Sequence, residues 1–157
     1  MERPTEESPG FPLAFTGHNQ TNKDMVATVT SLKPDALPKR RVLVVEDNLD
    51  SVHSMATLIK MMGHEVRFAI NGFSAIAEAR QFRPDVILLD IGLPDFKGHI
   101  IARQLKFEPG LENTRIIAIT GLPGDDELRE RALEAGCEEF YRKPIDPAKL
   151  EELLAKP

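Results

Sequence analysis

The amino-acid sequence predicts an α/β fold, a doubly wound parallel sheet with helices on both faces, over residues 41–157. Short apolar runs alternate with amphipathic stretches from residue 41 onward, and five such units fit. The first, third and fourth runs are apolar enough to be central strands covered on both sides.

The elements follow in order. Val42-Leu43-Val44-Val45 reads as the first strand. Val52, Met55, Ile59 and Met62 then recur at helical spacing, and Gly63 stands where a left-handed residue would stop the helix. Val66-Arg67-Phe68-Ala69 is a second, less buried strand, and Phe73, Ile76, Ala77 and Arg80 mark a second helix. Val86-Ile87-Leu88-Leu89 is the third strand, followed by a helix through Ile100, Ile101 and Leu105. Ile116-Ile117-Ala118-Ile119 is the fourth, followed by Leu128, Ala132 and Ala135 before Gly136. Glu139-Phe140-Tyr141 is a less buried fifth strand. Asp146 caps a last helix through Leu150, Leu153 and Leu154, with Pro147 in its first turn, where proline forfeits no helical hydrogen bond.

Residues 1–40 differ in kind. Pro4, Pro9, Pro12, Pro34 and Pro38 lie among polar residues without sustained periodicity, which predicts a flexible arm or linker. The basic cluster Lys39-Arg40-Arg41 reads as a solvated part of that linker. The chain of 157 residues has 25 acidic against 20 basic side chains, so its net charge of -5 offers no general attraction to nucleic acid or anionic lipid. No apolar run reaches the roughly 20 residues of a membrane helix. The single cysteine, Cys137, rules out an internal disulfide and reads as a small packed side chain. A cytoplasmic protein that binds neither nucleic acid nor membrane is expected.

In an open parallel sheet, ligands sit beyond the carboxyl ends of the strands. The residues there are Glu46 and Asp47 after the first strand, Asp90 after the third, Thr120 at the fourth, and Lys143 and Pro144 after the fifth. Converging carboxylates repel one another unless a cation or a proton neutralises them. Magnesium suits such a set, since it takes hard oxygen ligands and accepts a phosphate oxygen besides. His18, His53, His64 and His99 are dispersed and offer no zinc alternative. Asp90 is the best placed nucleophile for phosphorus. Lys143 supplies positive charge, and the Thr120 hydroxyl can donate to a phosphoryl oxygen.

These residues resemble the receiver, or response-regulator, family of two-component signalling. The acidic pair Glu46-Asp47, Leu88-Leu89-Asp90-Ile91-Gly92-Leu93-Pro94, Ala118-Ile119-Thr120-Gly121 and Lys143-Pro144 carry the likeness, which spans about residues 41–156. The resemblance implies a flavodoxin-like (βα)5 sheet of strand order 2-1-3-4-5, a magnesium ion held by Asp47, Asp90 and the backbone carbonyl of Gly92 with help from Glu46, and phosphoryl transfer to Asp90 from a histidine kinase or histidine phosphotransfer protein. It also implies a switch in which Thr120 moves and Phe140 repacks, a cis peptide at Lys143-Pro144, and output to a downstream protein through the face made by the fourth helix, fifth strand and fifth helix. Tyr141 falls on the opposite strand face and is a poor substitute for Phe140. Gly92 and Gly121 lead us to expect a phosphoryl group open to water.

Other readings are weighed beside this one. Dehalogenase-type enzymes carry Asp-x-Asp at the nucleophile, which Asp90-Ile91-Gly92 lacks. A flavodoxin-like cofactor carrier needs a phosphate-cradling first loop, where Glu46-Asp47-Asn48-Leu49-Asp50 would repel the anion. A phosphorylation-independent scaffold and the receiver segment of a hybrid sensor kinase stand as alternatives.

Overall fold

The computed structural model describes residues 38–94, 98–123 and 126–157. The arm expected over residues 1–40 thus lies outside the described residues up to position 37. Five strands and five helices alternate: β1 (Arg41–Val45), α1 (Leu49–Met61), β2 (Glu65–Ala69), α2 (Gly72–Phe82), β3 (Val86–Asp90), α3 (Gly98–Lys106), β4 (Arg115–Thr120), α4 (Asp126–Glu134), β5 (Glu139–Arg142) and α5 (Pro147–Ala155). All neighbouring strands pair in parallel, in the order β2-β1-β3-β4-β5. The order is the one the resemblance implies, and the apolar runs agree with it: β1, β3 and β4 are almost wholly buried and central, whereas β2 and β5 stand at the edges.

Strand alternation divides the core into two. Leu43, Val45, Ile87, Leu89, Ile116 and Ala118 face one side, where α2, α3 and α4 cover them with Ala79, Ile101, Leu105 and Ala132. Val42, Val44, Val86, Leu88, Ile117 and Ile119 face the other, under Ile59 of α1 and Leu150, Leu153 and Leu154 of α5.

Local chemistry fixes the helix ends, at Gly63, Gly136 and Asp146 as the sequence indicates and at Asn48 and Asn71 besides. Asn48 caps α1 by accepting from the Ser51 N–H at 2.9 Å, and Asn71 with Ser74 forms a reciprocal capping box on α2. Asp146 accepts from Ala148 N–H at 2.8 Å, ahead of Pro147 in the first turn of α5. Gly63 and Gly136 take φ of +88° and +104°, conformations that only a residue without Cβ adopts cheaply.

Three expectations need correction. The buried face of α2 is Ala75, Ala79 and Phe82, while Phe73, Ala77 and Arg80 point outward, because small alanines let the helix approach the sheet. On α3, Ile101 and Leu105 are buried but Ile100 is exposed. Arg40 is anchored to the folded body: its N–H donates to His64 Nδ1 at 3.1 Å and its guanidinium to the Lys156 carbonyl at 2.9 Å. Its neighbour Arg41 begins β1, with its N–H on Asp85 Oδ2 at 2.7 Å. Cys137 is buried as expected, and desolvation pushes its thiol pKa up to about 12, which leaves it unreactive.

Candidate functional site

The carboxyl ends of β1 and β3 bring the predicted acidic residues together. Glu46, Asp47 and Asp90 each offer an oxygen within 4.8 Å of the others, the metal-suited cluster found among the described residues. Glu46 and Asp90 are buried, and Asp47 is exposed at the rim. Backbone donors hold the carboxylates: Asn48 N–H donates to Glu46 Oε1 at 3.1 Å, and Gly92 N–H to Asp90 Oδ1 at 2.7 Å. The Glu46 N–H bonds the Ala69 carbonyl at 3.0 Å, tying the acidic loop to the end of β2.

Lys143 reaches in from the far edge. Its Nζ lies 2.8 Å from Asp90 Oδ2 and also hydrogen-bonds Glu46 Oε2. The Lys143 N–H bonds the Thr120 carbonyl at 2.8 Å, and the Lys143–Pro144 peptide is cis, as the resemblance implies. Burial drives the Glu46 carboxyl above its ordinary range, opposed by its bonds from Lys143 and Asn48 and reinforced by the nearby Asp90 charge. For Lys143, burial disfavours the charge, but the hydrogen bonds to Asp90 and Glu46 outweigh it and raise the pKa. The ammonium is therefore a charged bridge between two buried carboxylates.

Thr120 is fully buried at the end of β4, and its hydroxyl accepts from the Leu122 N–H at 3.1 Å. Leu122 was not singled out from sequence, yet its side chain lies within 3.4 Å of where a Cβ on Gly92 would stand. Nothing in a lone leucine after Thr120-Gly121 signals that contact. Phe140 is half-buried against the α2–α3–α4 side of the core, and Tyr141 packs on the other side, as strand alternation requires.

A groove of about 410 Å3 opens from the acidic cluster beneath α1. Glu46, Asp90 and Lys143 form its polar end, and Met55, Leu58 and Ile145 its apolar wall. Met55, on the helical stripe read from the sequence, packs partly buried against the core and also lines this groove.

The donor set suits a magnesium ion. It consists of oxygens without sulfur or imidazole, and three carboxyl groups face a single ammonium, an excess of acid that suits a divalent cation.

The sequence profile of the response regulator receiver domain matches residues 42–155. The chain belongs to that family. This receiver is 38% identical over 111 residues to the polar-differentiation response regulator DivK of Brucella anthropi, a match covering 69% of the chain and 87% of DivK. It is 36% identical over 110 residues to the response regulator PleD of Caulobacter vibrioides, covering 70% of the chain and 24% of PleD. Among solved structures, the receiver is similar to the CheY-like receiver domain protein of Methanospirillum hungatei JF-1, with TM-score 0.67 and 27% identity over 74% of this chain and 90% of that one. It is also similar to the receiver domain of the sensor histidine kinase PA1611 of Pseudomonas aeruginosa PAO1, solved with a magnesium ion in its active-site cleft, with TM-score 0.66 and 30% identity over 74% and 94% of the two chains. A receiver domain serves two-component signalling as a phosphoacceptor and is a signalling protein, not an enzyme in the ordinary sense. No described helix of this receiver is long and apolar enough to cross a membrane.

Proposed function

We propose that Asp90 is the phosphoacceptor of this receiver, and that it takes its phosphoryl group from a phosphohistidine on a histidine kinase or histidine phosphotransfer protein. The supporting observation is the Lys143 bridge, a fixed positive charge 2.8 Å from Asp90 Oδ2 at the edge where three carboxylates meet. An Asp90 carboxylate oxygen forms the new bond to phosphorus as the phosphorus–nitrogen bond to the donor imidazole breaks, and that bonding pair leaves with the imidazole. A magnesium ion bound there supplies charge neutralisation for the phosphoryl oxygens. Asp47, Asp90 and the Gly92 carbonyl are the ligands we assign to it, with Glu46 assisting. Lys143 then turns from Asp90 to a phosphoryl oxygen, and the Thr120 hydroxyl gives up its Leu122 contact to donate to another.

Movement of Thr120 would be felt at Phe140, which pairs across β4 and β5 with Ala118, two residues before Thr120. We assign the output to the face of α4, β5 and α5, read by a downstream protein. The apolar wall of the α1 groove beside Asp90 supports a protein donor over a small one, because it offers Met55, Leu58 and Ile145 to a docked partner. We also propose a cytoplasmic setting and a linker role for residues 1–40.

Intact mass after incubation with a phosphorylated histidine phosphotransfer protein tests this, with acetyl phosphate as a second donor. A gain of one phosphoryl group that requires magnesium and is absent in Asp90→Asn is expected. Equal labelling of the wild type and Asp90→Asn by the protein donor overturns the assignment.

A further inference from the structure

The helices α2 and α3 enclose a second groove, of about 590 Å3, on the sheet face opposite α1. Two stripes form its walls. Phe73, Ile76 and Arg80 follow one another at i, i+3 and i+7 along α2. Ile100, Arg103, Gln104 and Phe107 stand at i, i+3, i+4 and i+7 along α3 and its end. Phe73 is 71% exposed, Phe107 78% and Ile100 41%, so three exposed apolar side chains converge here. Exposed rings gathered on one groove mark an interaction surface more often than rings scattered singly.

The charges at the rim select the occupant. Arg80 is neutralised by a two-pronged bond to Glu108, with Nε to Oε1 at 2.6 Å and the second nitrogen to Oε2 at 3.1 Å. Arg103 is exposed and makes no side-chain hydrogen bond or ion pair among the described residues. The groove thus combines apolar walls with one cation that is unpaired among the described residues, on a chain whose net charge is -5. A second copy is disfavoured, because the carboxylate lining this groove, Glu108, is already bound to Arg80 and leaves Arg103 without an acidic partner there.

We propose that the α2–α3 groove docks an amphipathic helical segment of another protein, whose apolar side chains lie between Phe73 and Phe107 and whose acidic residue pairs with Arg103. Binding here leaves the acidic site and the α1 groove open, so a partner held in this groove and a phosphoryl donor engage the receiver together. The α3 wall roots near the phosphoacceptor: α3 begins with Gly98 N–H bonded to the Ile91 carbonyl at 3.2 Å, one residue beyond Asp90.

The test is selection of a random peptide library on the full chain, followed by affinity measurement of recovered peptides against wild type, Arg103→Glu and Phe107→Ser. Both positions are exposed, so both variants are expected to fold, and circular dichroism verifies it. Recovered peptides are expected to be acidic and apolar at helical spacing, and to lose roughly tenfold or more in affinity to each variant. An otherwise identical peptide with lysine in place of the acid regains affinity for Arg103→Glu. Failure to recover peptides, or peptides indifferent to both substitutions, overturns the proposal. So does reversible dimerisation of the wild type in sedimentation velocity that Phe107→Ser abolishes, since the groove would then belong to a second copy.

Discussion

Replacing Gly98 with alanine is expected to unseat α3 from the strand end that carries Asp90. A Cβ at this position would stand 2.2 Å from Ile91 Cα, 2.8 Å from its Cβ and 2.9 Å from its carbonyl carbon. Non-bonded carbons settle near about 3.5 Å, so helix and strand end must separate by roughly 1.3 Å. The obstacle is backbone and cannot rotate aside, and Ile91 is buried. Overpacking of this kind costs about 1–3 kcal/mol. At about 4 °C per kcal/mol for a domain of this size, the melting temperature should fall by about 4–12 °C. Gly121→Ala is the matched control, since its Cβ would meet only Lys143 Cδ at 3.8 Å, an ordinary contact. Urea titration followed by circular dichroism reads both. Equal unfolding midpoints for Gly98→Ala and Gly121→Ala would refute the reasoning, and a changed slope would point to loosening of the native state instead.

Lys143→Met removes the cation between Glu46 and Asp90 and leaves their charges uncompensated, an expected loss of about 1–3 kcal/mol for this partly exposed bridge. Magnesium should therefore raise the melting temperature of Lys143→Met more than that of the wild type; an equal rise in both counts against the bridge. His64 makes a different prediction. Burial, with the Arg40 charge beside it, lowers its pKa below the ordinary 6.5, and its Nδ1 accepts from the Arg40 N–H, which requires the neutral ring. The unfolded chain thus binds the proton more readily, so the His64 contribution is fully present above about pH 6.5 and is lost as pH falls through the lowered folded value. Thermal melts of wild type and His64→Asn across that window should converge toward acid pH, and a constant difference between them contradicts the linkage.

Much of the fold is legible because strands buried on both faces have to be continuously apolar. Val86-Ile87-Leu88-Leu89 announces a central strand, and the charged residue that ends it stands out. Glu46, Asp47, Asp90 and Lys143 were readable as a group because parallel pairing sends all strand ends to one edge. Side-chain facing was harder. Ala75 and Ala79 carry the contact surface of α2 although Phe73 is the larger apolar residue, since close helix approach favours small side chains. Gly98, Leu122 and the Arg40–His64 bond depend on contacts between residues apart in sequence, which no local period encodes.

The Lys143 bridge has a consequence for how the domain lives without its ion. A lysine held between Glu46 and Asp90 is a tethered counterion, always present at fixed stoichiometry. The carboxylates need no dissolved cation to hold the chain together, unlike small domains whose metal is their keystone. Chelation should silence the site while leaving the sheet standing, so a cell short of divalent ions would keep a stock of intact, waiting protein rather than one marked for degradation.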